Sequence, residues 1–348
     1  MTRPLRINLA GGWYHVTARG NNRQPIYDDD RDRQHFLNLV GEMVERYRVR
    51  MHAYVLMTNH YHLLIETPGG NISPAIQWLN VSYSVWYNKR HGRSGHLLQG
   101  RFHSVLIESK AWGLEVSEYL HLNPVRVAGQ GMGKEDRKQY NAGRRAPATQ
   151  EEVKRWLAIM RGYRWSSYRA YAGYERGKEW LTRGVLWGFV KGRKRSGADR
   201  YRREVEMQVK GEQKETPWQA LRAGVVLGTQ AFLERVRQVA TGDEREQAGL
   251  KAIRVRVSFD DVVRVVEQEK GAAWGQFRER RGDWGRDLVL VIARRHCGMT
   301  LKELGEAAGD LSSVAVNMAL RRMSGRVQNE MTLQQIYRRT IKRVECIV

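Results

Sequence analysis

The run Asn59-His60-Tyr61-His62-Leu63-Leu64-Ile65 carries two histidines in what otherwise reads as a buried β-strand. Strand side chains alternate faces, so His60 and His62 point the same way while Tyr61 points into the core. Two imidazoles on one rigid surface make half of a metal site. Further on, Val116-Ser117-Glu118-Tyr119-Leu120-His121-Leu122-Asn123 has helical spacing. Tyr119 and Asn123 are neighbours on one helical face there, flanked by Leu120 and Leu122, while His121 faces elsewhere. The chemistry that suits a metal, a tyrosine and an amide is transesterification of a phosphodiester, in which a tyrosine oxygen attacks phosphorus and keeps the strand end covalently. A tyrosine hydroxyl has a pKa near 10, so ionising it at neutral pH costs about 4 kcal/mol, which cationic neighbours must offset. Each residue alone would serve as core or surface; no purely structural role needs the combination. With no thiolates near, zinc is the poorer fit, and magnesium or manganese suits an open site that also takes phosphate oxygens.

These residues need a frame. Trp13-Tyr14-His15-Val16-Thr17-Ala18-Arg19 alternates as a first strand broken by Gly20-Asn21-Asn22, and Asp28-Asp29-Asp30 opens a helix through Phe36, Leu37, Val40, Met43, Val44 and Tyr47. Strands at about 50–57 and 60–67, separated only by Thr58-Asn59, form an antiparallel hairpin with the histidines at the start of its second strand. Pro68-Gly69-Gly70 ends it, and Ser73-Pro74 opens a second helix to about Arg90. A Gly- and Arg-rich loop containing Arg101, a strand near 103–108 and a helix from about Ala111 to Asn123, stopped by Pro124, complete the series. The order fits an α+β fold, a ferredoxin-like (RRM-like) antiparallel sheet with an added tyrosine-bearing helix. Such a sheet leaves one open face on which an extended nucleic-acid strand can lie.

The chain has 348 residues and a formal net charge of +23, which calls for a polyanionic partner. No apolar stretch is long enough to span a membrane and no signal-peptide pattern is present. The two cysteines, Cys297 and Cys346, make no disulfide framework. A soluble protein of a reducing compartment, cytoplasmic and nucleoid-associated, is expected, with nucleic acid and no membrane as partner. Eleven Trp and fifteen Tyr among so many basic residues suit unpaired bases, although most of these rings are expected in the core.

Three parts are expected: 1–128 with the paired histidines, 129–245 as a basic, aromatic-rich helical extension and linker, and 246–348 as an all-helical domain. Within the extension, Gly129-Gln130-Gly131-Met132-Gly133-Lys134 opens an exposed loop or lid reaching about Gln150. A helical segment is expected over 198–240, and Thr241-Gly242-Asp243-Glu244 leads to the last domain. There, Ser258 and Thr300 are N-caps, Gly309 is a turn, and Ser312-Ser313 caps a helix through Val314, Val316, Met318, Leu320 and Met323, the outline of a helix-turn-helix with Arg321 and Arg322 on its second helix.

Residues 1–128 resemble the single-tyrosine HUH transposases of insertion sequences, especially the REP-associated tyrosine transposases. The family's His-hydrophobic-His matches His60-Tyr61-His62, and its tyrosine helix matches Glu118-Tyr119-Leu120-His121-Leu122-Asn123-Pro124-Val125-Arg126. The resemblance implies His60, His62 and Asn123 as ligands of Mg2+ or Mn2+, and Tyr119 as the nucleophile. It further implies cleavage and rejoining of single-stranded DNA near small hairpins through a 5′-phosphotyrosine, with no nucleotide cofactor. The family includes both dimers and monomers, so the oligomeric state stays open. Trp165-Ser166-Ser167-Tyr168 resembles a motif that follows the tyrosine helix closely in the family; here the intervening stretch is longer, as an insertion would make it. Residues 258 to about 345 separately resemble the C-terminal DNA-binding domain of the bacterial initiator DnaA, whose Asp-His-Ser-Thr reads Asp310-Leu311-Ser312-Ser313 here. That implies duplex binding without the family's histidine contact. The residues expected to touch DNA are Arg101 and Arg126 in the first part and Ser312, Ser313, Arg321 and Arg322 in the last.

The alternative is a domesticated, catalytically idle DNA-binding protein or repressor acting at repeats. It shares every basic and aromatic feature, but not the need for His60, His62, Tyr119 and Asn123 together. A rolling-circle replication initiator shares the histidine pair, but the chain carries no helicase motif.

Overall fold

Alternation of large and small or polar residues makes Gly12–Arg19 the first strand, β1, in a computed structural model that describes residues 7–127, 132–133, 135–136, 139, 144, 146, 148–192, 195–210, 216–222, 224–239 and 257–347. Helix α1 (Asp30–Tyr47) starts on Asp29, whose carboxylate accepts from the Asp32 amide while Asp32 accepts from the Asp29 amide. This reciprocal pairing satisfies donors that the first helical turn leaves without partners. Strands β2 (Arg50–Leu56) and β3 (His60–Thr67) form the expected hairpin, closed where the Met57 amide donates to the His60 carbonyl at 2.8 Å. Helix α2 (Ile72–Arg90), β4 (His103–Ile107) and the tyrosine helix α3 (Ser109–Leu122) follow.

The four strands pair in the order β2-β3-β1-β4, with every pairing antiparallel. This is the ferredoxin-like arrangement, in which neither strand beside β1 is the one that follows it in sequence. Helices α1 and α2 cover one face, where the Tyr61 ring lies 4.9 Å from Phe36 and its hydroxyl donates to Asn80 at 2.6 Å. Tyr61 is fully buried, as alternation from the histidines requires.

The other face is not the open platform the sequence suggested. It carries Leu64, Ala53, Val55, Val105 and Ile107, all buried. Apolar side chains on both faces of a sheet need cover on both faces. Helix α3 supplies it, together with the following helices α4 (Gln150–Gly162), α5 (Tyr168–Tyr171), α6 (Gly184–Phe189) and α7 (Gly197–Lys210). Trp13 of β1 stacks on His52 at 3.7 Å beneath Phe189 of α6. The Trp165-Ser166-Ser167 stretch extends the sheet beyond β2, where the Leu56 amide donates to the Trp165 carbonyl at 2.8 Å and the Ser167 amide to the Tyr54 carbonyl at 3.0 Å.

The described residues fall into two compact units, one within Arg6–Pro217 and one within Trp218–Val348. Most of the expected loop at 129–150 and all of Thr241-Gly242-Asp243-Glu244 lie outside the described residues. The segment expected to be helical over 198–240 holds α7 and α8 (Gln230–Val239), but also a two-strand hairpin, β5 (Leu221–Arg222) and β6 (Val226–Leu227). Its turn uses Gly224 at φ +71°, a conformation that favours glycine.

The second unit continues through α9 (Phe259–Lys270), α10 (Trp274–Phe277), α11 (Trp284–His296), α12 (Leu301–Ala307), α13 (Ser313–Asn329) and α14 (Met331–Cys346). The caps expected at Ser258, Thr300 and Ser312 are all formed. The turn between α12 and α13 is tight because Gly305 has no side chain: a Cβ there would lie 2.0 Å from the Leu311 carbonyl oxygen. Val266, Leu288, Ile292, Leu304, Val316 and Met323 form the core beneath it.

Candidate active site

Register explains the site. His62 lies opposite Thr17 and His60 opposite Arg19, while His103 of β4 lies opposite Thr17 from the other side. Alternation along β1 then puts His15 on the face of both ligand candidates. The His15 Nε2 is 2.9 Å from the His62 Nδ1, with the rings stacked at 5.1 Å. His60 and His62 have ring centroids 4.9 Å apart and nearly perpendicular planes. Helix α3 brings the Tyr119 ring edge-on to both inner histidines, 6.1 Å from His62 and 6.3 Å from His15. The Arg126 guanidinium stands 5.3 Å over the same tyrosine ring. Asn123 follows the last turn of α3, its amide nitrogen donating to the Tyr119 carbonyl at 2.9 Å.

The histidines are held neutral. Burial lowers the His62 pKa well below the ordinary histidine value, helped by His15 and His60. Burial lowers His60 too, with Arg19 adding to it. Burial also brings His15 down to about 3, with His103 adding to it. A neutral imidazole offers one lone pair and one N–H. In His60 the Nδ1 sits 2.7 Å from Asn59 Oδ1, an acceptor, so Nδ1 carries the proton and Nε2 the lone pair. In His62 the Nδ1 is engaged with His15, and the Nε2 is buried with no hydrogen-bond partner among the described residues. A buried polar atom without a partner costs about 1–3 kcal/mol, and most buried polar atoms of folded proteins have one. Two neutral imidazole nitrogens are chemically suited to a divalent cation, and one of them is oriented by a carbonyl oxygen in the way that metal-ligating histidines usually are.

The other expected residues divide. Arg101 is exposed, in the loop that meets the end of β1 through the Arg19 side chain on Gln99 at 3.2 Å. Ser312 is the exposed cap of α13, accepting from the Ala315 amide, with Ser313 half-buried as the first helical residue. Arg321 is exposed on α13, but Arg322 is turned inward, its Nε donating to the buried Asp287 at 2.7 Å. Its charge is committed to the core of its own unit. Side chains with metal-ligand chemistry also gather at Asp28, Asp32 and His91, but Arg90 donates to Asp32 and, at 2.9 and 2.5 Å, to Asp29. A guanidinium already fills that position. Burial raises the Asp32 pKa, but hydrogen bonds from His91, the Asp28 amide and Arg90 outweigh it and leave the carboxyl below its ordinary value.

Residues 9–123 match the family described as Transposase IS200 like. That stretch begins before β1 and ends on Asn123, so it contains His15, His60, His62 and Tyr119. No curated protein matches the chain. The chain is similar to the solved structure of a REP-associated tyrosine transposase bound to a REP hairpin, at 16% identity and a TM-score of 0.36, covering 53% of this chain and 93% of that one. No helix among the described residues is long and apolar enough to cross a membrane.

Proposed function

We propose that the IS200-like region cleaves and rejoins single-stranded DNA at hairpin-forming repeats, with Tyr119 as nucleophile and His60, His62 and Asn123 as ligands of Mg2+ or Mn2+. The observation that carries the proposal is the Tyr119 ring placed against the His62 ring, whose buried Nε2 has no hydrogen-bond partner among the described residues. In the reaction, the Tyr119 oxygen forms a bond to phosphorus as the bond from phosphorus to the 3′ oxygen breaks. The tyrosine keeps the 5′ phosphate, and the phenolic proton balances the 3′-OH that leaves. Rejoining is the reverse, with a 3′-OH displacing the tyrosine. A bound divalent cation supplies charge that polarises the phosphate. The chain's own contribution is position: α3 presents the hydroxyl, Arg126 sets a cation over its ring and favours the developing phenolate. Arg19, Arg101 and His103, all exposed around the His60 end of the sheet, would take the backbone of the strand.

The test is incubation of the full chain with single-stranded hairpin DNA and Mn2+, followed by denaturing electrophoresis. A covalent adduct is expected, lost in Tyr119→Phe and on chelation. No adduct at all leaves the non-cutting DNA-binding protein as the better reading, whereas an adduct that survives Tyr119→Phe rejects Tyr119 as the nucleophile and assigns the attack to another side chain.

The second unit is proposed to bind duplex DNA through α13. Its support is that α12 and α13 are both capped and joined by a tight turn, and that α13 exposes Asn317 and Arg321 one turn apart, with Met318 between them and Val314 a turn before. An amide and a guanidinium on one exposed helical face are the groups that read purine edges in the major groove. On this reading residues 1–128 perform the chemistry, the extension supports it and 246–348 holds flanking duplex.

A further inference from the structure

The tyrosine helix is held on its far side by a buried polar chain that the transesterification itself does not use. The His121 Nε2 is 2.7 Å from the Ser167 Oγ, and its Nδ1 is 2.7 Å from the Tyr201 hydroxyl. The Tyr201 hydroxyl is in turn 2.9 Å from the Ser117 Oγ, which donates to the Leu114 carbonyl at 2.7 Å. At the other end the Ser167 Oγ accepts from the Tyr54 amide at 2.9 Å. Ser117, His121, Ser167 and Tyr201 are all fully buried. The Ser167 Oγ also lies 3.2 Å from the Tyr54 carbonyl, which already accepts from the Ser167 amide at 3.0 Å. With the hydroxyl proton given to the shorter contact, one assignment runs along the chain: Ser167 donates to His121, His121 to Tyr201, Tyr201 to Ser117, and Ser117 to the backbone. Beside this chain, Gln208 of α7 donates to the buried carboxylate of Glu118.

Ser117 and His121 lie on one helical face, and Tyr119, two residues from each, is about 200° away around the helix. We propose that Ser167, His121, Tyr201 and Ser117 form a positioning latch that sets the rotation of α3 and so aims the Tyr119 hydroxyl at the paired histidines. The inference rests on Tyr119 being the nucleophile. Apolar residues of the same volume would fill this space, but they would hold the helix without specifying one rotation; a fully satisfied buried polar network does specify it. A one-residue slip in rotation swings the ring by about 100° and takes the hydroxyl off the site. The latch partners come from the Trp165-Ser166-Ser167-Tyr168 stretch and from α7, both beyond residues 9–123. The extension is thus part of the catalytic unit, and its role is to hold α3.

The experiment compares full-length wild type with Tyr201→Phe, His121→Phe, His121→Gln and Ser167→Ala. It measures the single-turnover rate of covalent adduct formation on hairpin DNA with Mn2+, and the Kd for the same DNA by fluorescence anisotropy. Tyr201→Phe and His121→Phe are each expected to slow adduct formation about tenfold, about 1.4 kcal/mol, with Kd within about twofold of wild type. His121→Gln, whose amide both donates and accepts, should recover part of what His121→Phe loses. A wild-type rate in Tyr201→Phe, or a fall in rate matched by an equal weakening of Kd, overturns the latch. Tyr201→Phe removes a single oxygen and carries the test if His121→Phe does not fold. Tyr119→Phe, run in parallel, separates the two readings: an adduct surviving there rejects the nucleophile, whereas an adduct lost there but formed at full rate by the latch variants rejects the latch alone.

Discussion

Replacing His15 and His62 together by leucine should stabilise the metal-free protein while abolishing its proposed chemistry. In the wild type, the His62 Nε2 is buried without a hydrogen-bond partner among the described residues, in a residue only 8% exposed. That costs about 1–3 kcal/mol. His62→Leu alone removes the cost but takes away the partner that His15 Nε2 has at 2.9 Å. Its net effect should stay within about 1 kcal/mol, well short of the 2–5 kcal/mol that core truncations commonly cost. The double variant forfeits the hydrogen bond between the two rings, worth about 1 kcal/mol net, and removes both the unpartnered nitrogen and the burial of two polar rings. A gain of about 1–2 kcal/mol follows, or several degrees in Tm for a unit of this size. The assay is urea unfolding in EDTA, repeated with Mn2+. At a hundredfold excess over Kd the ion should add about 2.7 kcal/mol to the wild type and nothing to either variant. A double variant that loses more than about 2 kcal/mol in EDTA, or one that Mn2+ stabilises as much as it does the wild type, would refute the view that this pair is kept for a ligand and not for the fold.

Two further outcomes are expected. Arg322→Ala should destabilise the second unit by about 2 kcal/mol, since it strips a charge-assisted hydrogen bond from the buried Asp287; Arg321→Ala should leave urea unfolding unchanged and weaken duplex binding, and the opposite pattern would show that Arg322 is the DNA contact. At the junction of α1 and α2, the Asp32 carboxyl is held below its ordinary value in the folded state. Its stabilisation is therefore complete above the unfolded value of about 3.9 and is lost as pH falls through the folded one. The stability gap between wild type and Asp32→Asn should be constant above about pH 5 and narrow below about pH 4; a gap that does not change with pH rejects the argument.

Local patterns were enough for much of this protein. Alternation around His60 and His62, the two-residue hairpin, the helix start at Asp28-Asp29-Asp30, the caps at Ser258, Thr300 and Ser312 and the i, i+4 spacing of Tyr119 and Asn123 involve neighbours in sequence, and each is found as a local feature of the structure. The partners of these groups were not legible in the same way. His15 alternates onto the correct face of β1, but nothing in the sequence pairs β1 with β3 in the register that sets it beside His62. Arg321 and Arg322 look alike in a helix; only the position of Asp287 on α11 turns one of them inward. His121 reads merely as facing away from the site, and its function as an anchor needs Ser167 and Tyr201, which are distant in the chain. The covered second face of the sheet has the same origin: the apolar residues that demand cover are visible in the strands, but which later helices provide it is decided by long-range packing. Sequence alone determined the candidate residues and the elements that carry them, because capping and side-chain periodicity act over a few residues. Tertiary structure decided which nitrogen lacks a partner, which arginine is committed and what holds the tyrosine in place, because those depend on strand register and helix packing across the chain.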